Sequence, residues 1–355
     1  MTTGVDFLER LLDASGPSGF ETAPSRIWRE EAEGFADEVW TDVTGNSVAA
    51  LNPGGSPRVM MAGHIDEIGL QVTHLDENGF LFFGEIGGWD PQVLVGQRVR
   101  VLGREGPVRG VIGRKPVHLM KSEEREKAVR IKDLWVDLGA SSAEEVKDLG
   151  VRVGDPMVLD AGMIRLAGDR IASRAIDNRI GAFVVLEALR ILSHDTPEAA
   201  VFAVATVQEE IGYAGGGARS SAFSLEPDVA LVVDVTFSTD APDLEKKELG
   251  DHKVGGGPVL SRGSANHPVV FQRLVEAAEG EGISFTLQAA PRATRTDADG
   301  IHLVRFGVPT GLVSVPNRYM HSPSEMVSLS DLDRSASLLA AFVRRLERDA
   351  DFRPV

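Results

Sequence analysis

Cysteine is absent from the 355 residues. That excludes disulfides, thiolate metal sites and cysteine nucleophiles, and it suits the reducing cytoplasm, where the protein is expected to reside. No apolar run approaches the ~20 residues needed to cross a bilayer, so no membrane partner is expected. The opening Met1-Thr-Thr-Gly-Val-Asp-Phe-Leu-Glu-Arg10 shows no basic stretch leading into an apolar core, the pattern of a secretory signal. Basic residues are in short supply. There are 37 Lys and Arg against 53 Asp and Glu, a formal net charge of −16. Binding a phosphate backbone requires basic surface, so this balance argues against nucleic acid as a partner.

What is present is an ordinary globular composition, 43% hydrophobic and 25% charged, in a chain long enough for one large domain or two. Helical spacing covers residues 5–12 and 21–35, and residues 37–43 and 46–51 flank Thr44-Gly45 as a hairpin. Residues 58–62 form a short buried strand. From about residue 70 to 166 the texture changes to closely spaced alternating segments, at 70–75, 80–85, 98–102, 108–112, 134–138 and 156–159, which suggest a small β-barrel or sandwich. The charged stretch 121–132 reads as an exposed arm, and 139–149 as one capped helix.

Beyond residue 170 the pattern is α/β. A helix at 179–192 carries Ile180, Val184, Ala188 and Ile191 on one stripe. The unbroken apolar run 201–207 and the segment 229–235 read as buried strands. Residues 236–264 read as a long loop, 268–279 as a helix, and 284–289 and 310–315 as strands. Ser330-Asp-Leu-Asp333 has the form of a capping box opening a final helix to about residue 347. The simplest organisation is an α/β domain, 1–69 with 167–355, interrupted by a β domain, 70–166.

Polar residues gather at the expected strand ends: His64, the pair Glu209 and Glu210, Asp234, and His321. In open α/β sheets the crevice beyond the strand carboxyl ends binds ligands. Asp177, just before a helix, joins them. Two histidines with several carboxylates and no thiolate suit zinc, cobalt or manganese, and the set is large enough for two ions sharing one carboxylate. On extended chain, adjacent Glu209 and Glu210 point opposite ways, so one can grip a cation while the other faces a reacting water. Asp66, two residues from His64, can orient its imidazole. Each residue also has a plainer explanation. A Glu-Glu pair at a strand end can be solvated, Asp177 can be a helix cap, Asp234 a turn residue, and a lone histidine a packing residue. Spacing alone leaves both readings open. The remaining histidines, 74, 118, 194, 252, 267 and 302, read as surface or packing residues.

Five segments then occur in a telling order: Gly63-His-Ile-Asp-Glu-Ile-Gly69, Ser173-Arg-Ala-Ile-Asp-Asn-Arg-Ile-Gly181, Gln208-Glu-Glu-Ile-Gly212, Val232-Val-Asp-Val-Thr236 and Arg318-Tyr-Met-His-Ser-Pro323. Together they closely resemble the tetrahedral, glutamyl or deblocking aminopeptidase family of dinuclear metallopeptidases. Within the β segment, 87–94 and 111–119 resemble it too. The resemblance implies a mixed sheet sandwiched by helices, with the inserted β-barrel driving assembly into dimers and often tetrahedral dodecamers. It implies that His64 and Asp234 bind one divalent metal ion, Glu210 and His321 a second, and that Asp177 bridges them. Glu209 is then the general base, Asp66 the support of His64, and peptides the substrates.

The sequence departs from that family at two places. Arg295 stands where relatives often have glycine, and the 255–257 glycines where many carry lysine. Both stretches are candidates to line the substrate pocket, with Arg295 and Asp297 as specificity residues or as a salt-bridged loop. The glycines after Glu210 read as room for a substrate backbone. Two other functions remain in view: a deacylase or deblocking hydrolase acting on N-acyl amino acids or blocked peptides, and a non-catalytic assembly protein with a structural metal.

Overall fold

The computed structural model describes residues 2–212 and 216–354. Its centre is an eight-stranded mixed sheet in the order Glu38–Thr41, Ser47–Leu51, Ala200–Thr206, Arg58–His64, Val229–Phe237, Thr310–Asn317, Val259–Arg262, Thr286–Ala289. The four middle members, from Ala200–Thr206 to Thr310–Asn317, run parallel. Every residue of Ala200–Thr206 is buried, as expected for a strand covered on both faces. Alternate side chains serve opposite layers. Val59, Met61, Val201, Ala203, Leu231 and Val233 face one core; Met60, Ala62, Phe202, Val204, Ala230 and Val232 face the other.

The first core is closed by Thr2–Asp13, Thr22–Ala32, Ile176–Ser193, Pro268–Glu281 and Leu329–Arg344. In Thr2–Asp13 the pairs Phe7-Leu8 and Leu11-Leu12 recur one turn apart and are at most 1% exposed. The second core is thinner, closed by Gly216–Leu225 and Asp297–Ile301. Helix Ile176–Ser193 lies close on the sheet. A Cβ on Gly63 would stand 2.3 Å from the Gly181 backbone, so this approach requires glycine.

Six strands, Gly69–Leu75, Phe80–Ile86, Leu134–Asp137, Gly106–Arg114, Arg98–Gly103 and Pro156–Leu159, close in that order into an antiparallel barrel. Leu70, Leu81, Val99, Val101, Val136 and Met157 fill it. The fold is thus a mixed α/β sheet between helices with a closed barrel, the class expected from the sequence. Among the described residues no helix is long and apolar enough to cross a membrane.

Several local expectations are corrected. The stretch 236–264 is not one loop. The preceding strand continues to Phe237, and the short helix Lys246–Leu249 and strand Val259–Arg262 lie within it. The 121–132 arm contains one helical turn, Ser122–Arg125. On the long helix Leu192 is fully buried and Ile191 only partly. The final helix starts at Leu329, not after Ser330. A distant carboxylate replaces the local capping box: Asp169 accepts the Ser328 hydroxyl at 2.5 Å and the Ser330 N–H at 3.1 Å.

Candidate active site

The carboxyl ends of the four parallel strands converge. His64 is the last residue of Arg58–His64, so that strand runs two residues past its expected end. Thr206 pairs with it, and Glu209 and Glu210 follow directly. Asp234 lies within Val229–Phe237, opposite Ser314. His321 follows Thr310–Asn317 in left-handed conformation (φ 59°). Asp177 comes from the irregular start of the long helix, where Asp177 and Asn178 have non-helical angles and Ala175 is left-handed (φ 59°). Non-glycine residues in this region cost of order 1–3 kcal/mol each and persist where surroundings hold them.

The structure brings the five candidate ligands together. His64, Asp177 and Asp234 offer donor atoms within 4.8 Å of one another, and so do Asp177, Glu210 and His321. The two oxygens of Asp177 divide between the histidines. Oδ1 is 3.3 Å from His64 Nε2, and Oδ2 is 3.4 Å from His321 Nε2. Glu210 Oε2 is also 3.4 Å from that His321 nitrogen. Glu209 belongs to neither group, its Oε2 standing 3.8 Å from His64 Nε2. All six border a cavity of about 1080 Å³.

Asp66 sits behind this set. Its Oδ1 is 3.3 Å from His64 Nδ1. The backbone N–H groups of Glu209 and Glu210 donate to its two oxygens at 3.3 and 3.1 Å. It therefore touches both the imidazole and the peptide of the acidic pair. His321 is oriented from the barrel side. Its Nδ1 lies 2.7 Å from the Gly88 carbonyl oxygen. A carbonyl only accepts, so Nδ1 carries a proton, and Nε2 faces the carboxylates.

A family model described as M42 glutamyl aminopeptidase matches residues 45–338. The chain belongs to that family. It is 36% identical over 354 residues to the lysyl aminopeptidase of Pyrococcus furiosus, covering 98% of this chain and 99% of that protein. It is 29% identical to the glutamyl aminopeptidase of Lactococcus lactis, over 83% of this chain and 82% of that one. Among solved structures, the TET aminopeptidase of a marine sediment archaeon of the Thaumarchaeota superposes with a TM-score of 0.92 at 36% identity, covering 98% and 97% of the two chains. The TET1 peptidase of Pyrococcus horikoshii, which can assemble into a tetrahedron or a large octahedral shell, superposes at 0.85 and 30% identity, covering 97% and 100%.

M42 peptidases are metal-dependent, and the residues of this M42 chain suit such a centre. Burial, partly opposed by His64, and then the charges of Asp234, Asp297 and Glu210 push Glu209 up to about 10. Burial likewise raises Asp234 well above the usual carboxylate range, against the pull of His64. Burial and Asp177 raise Glu210. On His321 burial opposes the cation, yet Asp177 and Glu210 carry it up to about 11. The site thus holds more carboxylate than two imidazoliums neutralise, and it takes up protons for the excess. Divalent cations compete for the same places. Glu210 Oε1 is buried without a hydrogen-bond partner, a donor atom that a cation would satisfy.

Two expected pocket features separate. Arg295 and Asp297 both line the cavity of this M42 chain. They are not a salt bridge: Asp297 is buried and accepts the Thr206 hydroxyl at 2.5 Å, whereas Arg295 is exposed. The 255–257 glycines are not part of the cavity wall. The N–H groups of Gly255 and Gly257 donate to Asp331 at 2.6 and 2.8 Å, at the start of the final helix. The glycines after Glu210 also differ among themselves. A Cβ at Gly212 would meet nothing within 4 Å, but one at Gly217 would stand 2.0 Å from Asn46 Oδ1. Gly217 therefore serves close packing, Gly212 borders open space, and Gly215 lies outside the described residues.

Three contributors were not anticipated. Glu325 accepts backbone N–H groups of Asp177 and His321. Glu67 pairs with Arg174 and Arg179 beneath the site, all three buried. Glu21 Oε1 accepts the N–H of Gly19 at 2.6 Å and of Gln208 at 3.2 Å. Burial, then Asp66, push the Glu21 carboxyl up to about 7 from an ordinary 4.5. A carboxyl raised on folding stabilises fully below its unfolded value, and that stability is lost as pH rises through the folded one. Glu21→Gln mimics the protonated form. It is expected to raise the thermal unfolding midpoint at pH 8 and leave it near wild type at pH 5. An equal effect at both pH values would remove titration of Glu21 as the cause.

Proposed function

We propose that this chain is a dinuclear metallo-aminopeptidase that removes N-terminal residues from peptides. The observation that carries the reading is Asp177, whose Oδ1 faces His64 and whose Oδ2 faces His321. A carboxylate so divided suits two cations. His64 and Asp234 would hold one, Glu210 and His321 the other, and Asp177 would bridge them. The mixed nitrogen and oxygen donors suit zinc or cobalt, with manganese also accommodated. Such cations supply Lewis acidity for the scissile carbonyl and for water.

The remaining chemistry belongs to the chain. Glu209, outside both donor groups but bordering the cavity, takes a proton from the water that attacks the carbonyl carbon. As the C–N bond breaks it returns that proton to the leaving amine. Asp66 holds the Glu209 backbone and the His64 ring in register with the substrate. The cavity admits an aminoacyl residue and the chain behind it. The surrounding carboxylates favour a free α-ammonium group over a blocked one.

Residues 70–166 are proposed as an inserted assembly domain, and the protein as a cytoplasmic homo-oligomer built from dimers. The TET relatives, one of which forms tetrahedral and octahedral shells, support a closed shell with tetrahedral dodecamers as the first candidate.

The test strips the protein with a chelator and restores zinc, cobalt or manganese before a panel of aminoacyl chromogenic substrates. Hydrolysis is expected to vanish on stripping and to return with cation, on free-amine substrates and not on their N-acyl analogues. A preference for the acylated series would make the protein a deacylase. Bound metal with no hydrolysis at all would make it an assembly protein. Undiminished activity in the stripped protein would end the metal reading altogether.

A further inference from the structure

The geometry points to Glu325 as a positioning residue for the half of the site made by Asp177, Glu210 and His321, an inference that rests on the dinuclear reading. Glu325 is 2% exposed. Its Oε1 accepts the His321 N–H at 2.9 Å, and its Oε2 accepts the Asp177 N–H at 3.1 Å. One carboxylate therefore ties together the backbones of two residues whose side chains meet 3.4 Å apart.

Both backbones need holding. His321 and its neighbour Tyr319 are left-handed, with φ of 59° and 63°. Asp177 has non-helical angles at the mouth of a helix, two residues after left-handed Ala175. Left-handed non-glycine residues are unfavourable unless the surroundings fix them. Glu325 is itself placed by a small separate sheet. Strand Glu325–Ser328 pairs antiparallel with Arg170–Ser173, with Glu325 opposite Ser173. That pairing sets the carboxylate beneath the Asp177 turn on one side and the His321 turn on the other.

Glu325 mirrors Asp66 in form. Asp66 takes the N–H groups of Glu209 and Glu210, and Glu325 takes those of Asp177 and His321. Two buried carboxylates thus hold the peptides of four polar residues at the site. A neutral isostere cannot replace Glu325 in this role. The amide of glutamine has one oxygen, and its NH₂ would face the second backbone N–H, donor against donor. One of the two anchors must be lost.

The experiment equilibrates wild type, Glu325→Gln and Glu325→Asp against buffered Co²⁺. Bound metal is read by elemental analysis and ligand geometry by visible absorption, with circular dichroism and assembly size as checks of folding. Wild type is expected to bind two ions per chain. Glu325→Gln is expected to keep one ion at the free Co²⁺ that saturates wild type, and to need at least tenfold more to take the second. Excess Co²⁺ should then restore much of its peptidase activity. Glu325→Asp keeps both carboxyl oxygens but is too short to reach both N–H groups, and should fall between. If the variants lose only thermal stability and bind two ions as tightly as wild type, with the same absorption, Glu325 does not position the site. If wild type itself binds fewer than two ions at saturation, the dinuclear reading fails first.

Discussion

Glu209→Gln is expected to retain both cations and to lose roughly 10²–10⁴-fold in turnover, the range for removing a positioned general base. The expectation follows from the division of labour at one strand end. Glu210 Oε2 faces His321 and its side chain is 5% exposed. Glu209 stands outside both donor groups, and its side chain is 17% exposed. On the proposed reading one acid would be committed to the donor set, leaving the other to move a proton to and from the cavity. With a pKa pushed up to about 10 by burial and neighbouring carboxylates, Glu209 is a useful base only when the excess negative charge around it is neutralised. On the dinuclear reading its basicity would therefore be coupled to cation occupancy. Glutamine keeps the size and the backbone anchor to Asp66 but cannot take the proton. The decisive measurements are kcat and metal content on the same preparation. Wild-type turnover would end the assignment of the base, and loss of one ion would make Glu209 a ligand instead.

Much of this site was legible in the sequence because its residues sit at the ends of apolar runs. His64 closes a strand whose side chains are nearly all buried, Glu209 and Glu210 follow another, and Asp234 lies within a third, three residues from its end. The ordered motifs around them, not their spacing alone, marked them as one set. The barrel was legible for a similar reason, its strands being short, alternating and glycine-bounded. What escaped notice depends on partners far apart in the chain. Glu325 bonds Asp177 across 148 residues, and the Gly88 carbonyl meets His321 across 233. No local pattern marks a carboxylate that accepts two backbone N–H groups. The same cause overturned the expected capping box. Ser330 and Asp333 have the right spacing, but Asp169, 161 residues away from Ser330, supplies the cap. Asp331, within that box, is taken by Gly255 and Gly257. Local spacing proposes a hydrogen bond, and tertiary competition decides who makes it.

The largest loss of stability is expected from Glu67→Gln, and it tests how the site is held from below. Glu67 Oε1 accepts from Arg179 Nη2 at 2.8 Å and from the Gly16 N–H at 3.1 Å, and Oε2 pairs with Arg174. Their side chains are at most 4% exposed. The arginines also hold carbonyls where the first helix ends. Arg174 bonds Asp13 and Ala14, and Arg179 bonds Leu11 and Gly16 as well as Ile65, between His64 and Asp66. Glutamine leaves two buried guanidinium groups without their ion-pair partner. Breaking a buried pair in this way costs about 3–5 kcal/mol, far more than an exposed pair is worth. Lys147→Ala, which removes an exposed partner of Glu144, should leave the unfolding midpoint in place. Burial opposes the Glu67 anion, but Arg174 and Arg179 hold its carboxyl below the ordinary 4.5. A depressed carboxyl stabilises above its unfolded value and loses that stability as pH falls through the folded one. The gap between wild type and Glu67→Gln should therefore be full at neutral pH and narrow in acid. Unfolding midpoints at one protein concentration, at pH 7 and at steps descending well below the ordinary 4.5, measure both. A gap that stays constant between them would mean that the charge on Glu67 is not what holds the two segments together.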